Sequence, residues 1–217
     1  MKYLIIVAHP DDEILGCFTT ISWAIRAGNE VMVEIFSQRS KTREKGLKAK
    51  ALKIHERIGI TKTVFKDYET MKFDKYDRYE MTLAVEKAMK EFQPDYIITH
   101  DINDIHNDHR ILAEIVLEAS KLPLRGTGYS KPLKGIYTME IPSSTDWGSG
   151  FVPNAFFEAR EEDLKMKEEL MKEYADVIRD LPHPRNAESF YALARYRGGQ
   201  CGCKYAEAFR KIYEVNV

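Results

Sequence analysis

The chain has 217 residues, with 33 basic against 34 acidic side chains and three cysteines. Its length suits one sizeable hydrophobic core, its balanced charge excludes a broad electrostatic footprint for nucleic acid, and Cys17, Cys201 and Cys203 cannot make a complete disulfide framework. No apolar run is long enough to span a bilayer, and the N-terminus lacks the charged region, long apolar core and cleavage site of a secretion signal, so the expected location is cytoplasmic.

Tyr3-Leu4-Ile5-Ile6-Val7 has the pattern of a strand buried on both faces. A helix over 13–27 follows, with Ile14, Leu15, Phe18, Ile21 and Ile25 on its apolar face and Gly28 as its stop. The pattern then predicts a strand over 30–37, a helix near 43–58 ending at Gly59, and a strand over 62–65. A polar and aromatic surface segment, Asp67 to Tyr79, leads to a helix over 80–92, a strand over 95–99 and a helix over 108–121. After a connection over 122–134 come a strand over 135–140 and helices near 161–174, 186–197 and 204–214. The strand-helix alternation predicts one α/β domain over 1–217.

Two polar clusters stand at strand ends in this scheme. The first is Ala8-His9-Pro10-Asp11-Asp12-Glu13, and the second is Thr99-His100-Asp101-Ile102-Asn103-Asp104-Ile105-His106-Asn107-Asp108-His109-Arg110. Either aspartate of the first cluster could simply cap the following helix. If both strands belong to one parallel sheet, however, both loops open on its C-terminal edge, where such sheets place their ligands. His9, Asp12 and His109 then converge, and two histidines with one carboxylate are a catalytic zinc set that leaves a position open for water. The same donors also suit Fe2+ or Co2+.

The AHPDDE stretch at 8–13 and HNDH at 106–109 resemble the PIG-L / LmbE family of zinc-dependent N-deacetylases. Further matches are Gly16, Pro142 to Trp147, Arg197-Gly198 and Ala206-Glu207-Ala208-Phe209, so the resemblance runs along nearly the whole chain. Asn107 stands where the family usually has Pro, and Phe18-Thr19-Thr20 where many members have Gly-Gly-Thr. The resemblance implies a Rossmann-like, three-layer α/β/α fold with a mostly parallel sheet. It also implies His9, Asp12 and His109 as zinc ligands, Asp11 as general base and His106 as the donor to a tetrahedral oxyanion. Asp108 or Asp104 would orient a histidine through its second ring nitrogen. The implied reaction is removal of acetyl from an N-acetylated amino sugar or its conjugate.

A non-catalytic, metal-dependent sugar-binding module is the alternative, and Asp11 beside Asp12 and His106 beside His109 favour catalysis over it. A Rossmann dinucleotide site lacks its glycine fingerprint here, and no GxSxG elbow marks a serine hydrolase. Arg43, Asn107, Trp147 and His183 are candidate substrate contacts. For the basic stretch from Arg39 to Lys53 the competing reading is a solvated helix face, and for Cys201-Gly202-Cys203 it is a plain loop. Whether copies associate as a homo-oligomer is left open by the sequence.

Overall fold

In the computed structural model, residues 1–37, 46–126, 128–129, 131–147, 149–174 and 177–215 are described. Arg39 and Arg43 lie outside them. The order of elements is β1 (Lys2–Val7), α1 (Asp12–Arg26), β2 (Glu30–Ser37), α2 (Leu47–Ile58), β3 (Lys62–Tyr68), α3 (Arg78–Phe92), β4 (Tyr96–His100) and α4 (Asn107–Ala119). The chain continues through β5 (Gly135–Met139), β6 (Ala155–Glu158), α5 (Glu161–Glu173), α6 (Ala187–Cys201) and β7 (Ala206–Glu214). Among the described residues no helix is long and apolar enough to cross a membrane.

The seven strands form one sheet in the order β3-β2-β1-β4-β5-β7-β6. The first five run parallel, and β7 pairs antiparallel with both β5 and β6. Period-two alternation explains why β1 reads as a continuous apolar run. Tyr3, Ile5 and Val7 enter the core under α1 and α2, while Leu4, Ile6 and Ala8 enter the opposite core with residues of α3 and α4. The α/β/α layering expected from the sequence is therefore present. Strand order reverses between β1 and β4, which opens a crevice beyond their C-terminal ends.

The predicted helix over 204–214 is instead strand β7. Ala, Glu, Lys and Arg favour a helix there by intrinsic propensity, but pairing on both sides satisfies the backbone of this stretch and overrides the preference. The four-residue β6 was not expected either, being too short to show a period.

Two features of the family resemblance have structural causes. α1 breaks at Cys17 (φ −148°, ψ 24°), and Glu207 accepts from the buried N–H groups of Thr19 (3.0 Å) and Thr20 (2.9 Å), capping the restarted helix. Gly198 leaves no room for a side chain: a Cβ there would lie 2.7–2.8 Å from backbone atoms of Cys203, Lys204 and Tyr205. Gly198→Ala is therefore expected to lower stability by about 1–3 kcal/mol through overpacking. A urea midpoint equal to wild type would contradict this.

Candidate metal centre

The β1–α1 turn bends sharply. Asp11 adopts φ 118°, a conformation strained for a residue with a Cβ. It occupies the N-cap of α1 without making a side-chain cap hydrogen bond, so capping does not account for it. Its N–H donates to Glu13 Oε2 at 3.2 Å, and Glu13 Oε1 accepts from His55 Nε2 at 3.0 Å, so a buried network holds the turn. The carboxylates of Asp11 and Asp12 are both fully buried.

Across the crevice, the β4–α4 loop brings up His109 from the first turn of α4, with His106 at that helix's N-cap. His9 Nδ1, Asp12 Oδ2 and His109 Nε2 form a nearly equilateral triangle with edges of 3.2, 3.3 and 3.3 Å. A tetrahedral ion with arms of about 2.0–2.1 Å needs ligand separations of about 3.3–3.4 Å. The triangle has that size. Asp12 Oδ1 and His106 Nδ1 are buried without a hydrogen-bond partner among the described residues, as donor atoms awaiting a further group would be.

Each neighbouring aspartate orients one of the two histidines. His9 Nε2 donates to Asp108 Oδ2 at 3.0 Å and His109 Nδ1 to Asp104 Oδ2 at 2.8 Å, which turns the opposite nitrogens toward the triangle. The sequence left Asp108 and Asp104 as alternatives, and the fold uses each on a different ring. Asp108 is itself held by the N–H groups of Met71 (2.6 Å) and Phe73 (3.3 Å). The Asp67 to Tyr79 segment is thus tied to the site, and Phe73 is buried. Asp104 also accepts from the His106 N–H and from Ser144 Oγ, each at 2.8 Å. Asp108→Asn is expected to weaken metal affinity about 10- to 100-fold while leaving the three ligands in place. An unchanged affinity in a chelator competition would remove Asp108 from this role.

Charge follows the same geometry. Burial pulls the His109 pKa down, but Asp12 and Asp104 outweigh it and raise it to about 9. Burial works against ionisation of Asp12, yet His109 and His9 hold its carboxyl well below the usual range. A proton on His109 Nε2 thus sits in the triangle, where a cation is favoured. His106 is pushed down to about 4 by burial and by the positive field of His109 and His9, so at neutral pH it offers a neutral imidazole.

His100, to which the sequence assigned no role, is fully buried with its ring stacked on His109 at 3.9 Å. Its Nε2 accepts the Ala8 N–H at 2.9 Å, so it serves better as a wall than as a ligand, although its donor atom lies within 4.8 Å of those of Asp12 and His109. Asn107 is the first helical residue of α4, a position where Pro also fits; it pairs with Arg110 at 3.0 Å. Trp147 is 68 % exposed. Further along the chain, Phe157 packs on Trp23, Tyr137 and Phe209. His183 accepts the Arg185 N–H through Nδ1 at 3.1 Å. The residue that sequence reasoning missed is Arg185 itself, whose Nη1 lies 3.7 Å from Asp11 Oδ2.

The profile of the PIG-L family, described as GlcNAc-PI de-N-acetylase, matches residues 4–120, which contain both strand-end clusters. The chain belongs to the PIG-L family. No curated protein sequence matches it. Among solved structures, N,N'-diacetylchitobiose deacetylase from Pyrococcus horikoshii superposes on this PIG-L protein with a TM-score of 0.76 at 19 % identity, covering 97 % of this chain and 83 % of the other. The zinc-inhibited form of teicoplanin deacetylase gives 0.71 at 11 % identity over 100 % and 99 % of the two chains. The 4-carboxy-2-hydroxymuconate hydratase GalB from Pseudomonas putida KT2440 gives 0.75 at 15 % over 100 % and 98 %. Deacetylases and a hydratase thus share the fold, and the reaction must be argued from the site.

Proposed function

We propose that this PIG-L protein is a metal-dependent amide hydrolase that removes acetyl from an N-acetylated amino sugar or its conjugate, with the 1–217 chain acting as one catalytic domain. The observation that carries the reading is the division between two adjacent carboxylates: Asp12 is turned into the triangle with His9 and His109, while Asp11 faces Arg185. Family membership and the deacetylases among the structural neighbours support the reaction class. A divalent ion held by His9, Asp12 and His109, zinc in our reading with Fe2+ and Co2+ as the other suitable ions, supplies Lewis acidity and lowers the pKa of water from about 15.7 to about 7.

The chain's own groups do the rest. Asp11 accepts the proton of the attacking water and returns it to the departing amine. His106 donates an N–H to the acetyl oxygen as charge develops there, a contribution of about 3 kcal/mol in comparable oxyanion sites. The amide C–N bond breaks, and acetate and a free amine leave. Trp147 and His183 remain candidate sugar contacts. Acetate release from a panel of N-acetylated amino sugars by the metal-loaded protein tests the reading. Tight metal binding with no hydrolysis across the panel would favour a binding module instead.

A further inference from the structure

Arg185 stands beside Asp11 in a setting that calls for a ligand. Its backbone is fixed on both sides: its N–H donates to His183 Nδ1 at 3.1 Å, its carbonyl accepts from the Arg179 N–H at 2.9 Å, and Asn186 caps α6 by accepting the Ser189 N–H at 2.9 Å. Its Nε is occupied by the Pro142 carbonyl (3.2 Å) and Ser143 Oγ (2.9 Å). That anchorage aims the other edge of the guanidinium.

Nη1 and Nη2 make no hydrogen bond among the described residues. Asp11 Oδ2, at 3.7 Å from Nη1, is within Coulomb reach but beyond hydrogen-bond distance. The side chain is only 15 % exposed, so these donors are partly shielded from water, and leaving them without acceptors is costly. A planar Nη1/Nη2 fork matches two oxygens of a carboxylate or phosphate. It matches a hydroxyl less well, because guanidinium has no acceptor for the hydroxyl proton. An anionic group entering here would otherwise meet the carboxylates of Asp11, Asp12, Asp104 and Asp108, and the Arg185 charge offsets that repulsion.

We propose that Arg185 is a specificity-determining residue that binds an anionic oxygen group, carboxylate or phosphate, carried by the substrate next to its acetamide. The proposal rests on the hydrolase reading for the identity of the ligand, but its test does not need turnover. Glucosamine, glucosamine 1-phosphate and muramic acid are titrated calorimetrically into the metal-loaded protein, with acetate release from their N-acetyl forms measured in parallel. Wild type is expected to bind one of the two anionic amines at least about tenfold more tightly than glucosamine. Whichever is preferred identifies phosphate or carboxylate as the source.

Arg185→Gln is expected to abolish or reverse that preference, and Arg185→Lys, with charge but no fork, to fall between; metal content and thermal unfolding report that each variant is folded. Should Arg185→Gln fail to fold, the reduced preference expected of Arg185→Lys carries the test. Equal affinity of wild type for all three amines would overturn the proposal. So would a variant that weakens neutral and anionic ligands by the same factor, since Arg185 would then act only through Asp11. An Arg185-dependent preference without hydrolysis of any N-acetyl form would leave the subsite standing and remove the deacetylase reading. Hydrolysis without the preference would do the reverse.

Discussion

Asp11→Asn is expected to retain one metal ion per chain and to lose about a hundred- to ten-thousand-fold in kcat, the range for removing a general base. The reason lies in the turn. Asp11 Oδ2 faces Arg185, whereas the triangle is closed by Asp12 together with His9 and His109. Asparagine preserves the shape of the side chain and cannot accept the proton of the attacking water. The backbone bonds that close the turn, from Ile14 and Leu15 N–H to the Asp11 carbonyl at 3.1 and 2.9 Å, do not depend on the carboxylate. Metal analysis beside steady-state kinetics checks both halves. Loss of the ion would make Asp11 a ligand, and full activity would place the base elsewhere.

His109→Ala is expected to abolish both metal binding and turnover. This residue joins the triangle through Nε2 and the Asp104 network through Nδ1, so its removal opens one vertex and leaves Asp104 without its imidazole. The wild-type protein carries a linked pH signature. Despite the opposing effect of burial, Asp12 and Asp104 hold the His109 pKa up at about 9, while a histidine must be neutral to ligate. Metal binding below that pH therefore displaces a proton, and log K rises by about one per pH unit until it levels off near pH 9. Proton release measured calorimetrically in buffers of different ionisation enthalpy checks the stoichiometry. A metal affinity independent of pH between 6 and 8 would contradict the assigned ligand.

Much of the site is legible in the sequence because His9 and Asp12 directly follow one apolar strand and His109 begins the helix that follows another. β1 and β4 declare themselves by composition, and a parallel sheet must bring their C-terminal loops to one edge. Ring orientation is not encoded in spacing, so the separate pairings of Asp108 with His9 and Asp104 with His109 require the three-dimensional arrangement. His100 lies within a cluster the sequence singles out, but its engagement with the Ala8 N–H depends on β1 and β4 being neighbours. Arg185 follows a Pro-flanked histidine in a segment without periodicity, and only the packing of that segment against Pro142 and Ser143 brings it to Asp11. β7 does not show in the sequence because its residues carry helical propensity while its pairing partners are distant along the chain.

The metal dependence on which the hydrolase reading rests is tested most directly by titrating zinc into metal-free protein while following acetate release from an N-acetylated amino sugar. Activity should rise from zero in proportion to added metal and reach a plateau at one equivalent per chain. Hydrolysis that proceeds undiminished in the metal-free protein would contradict it.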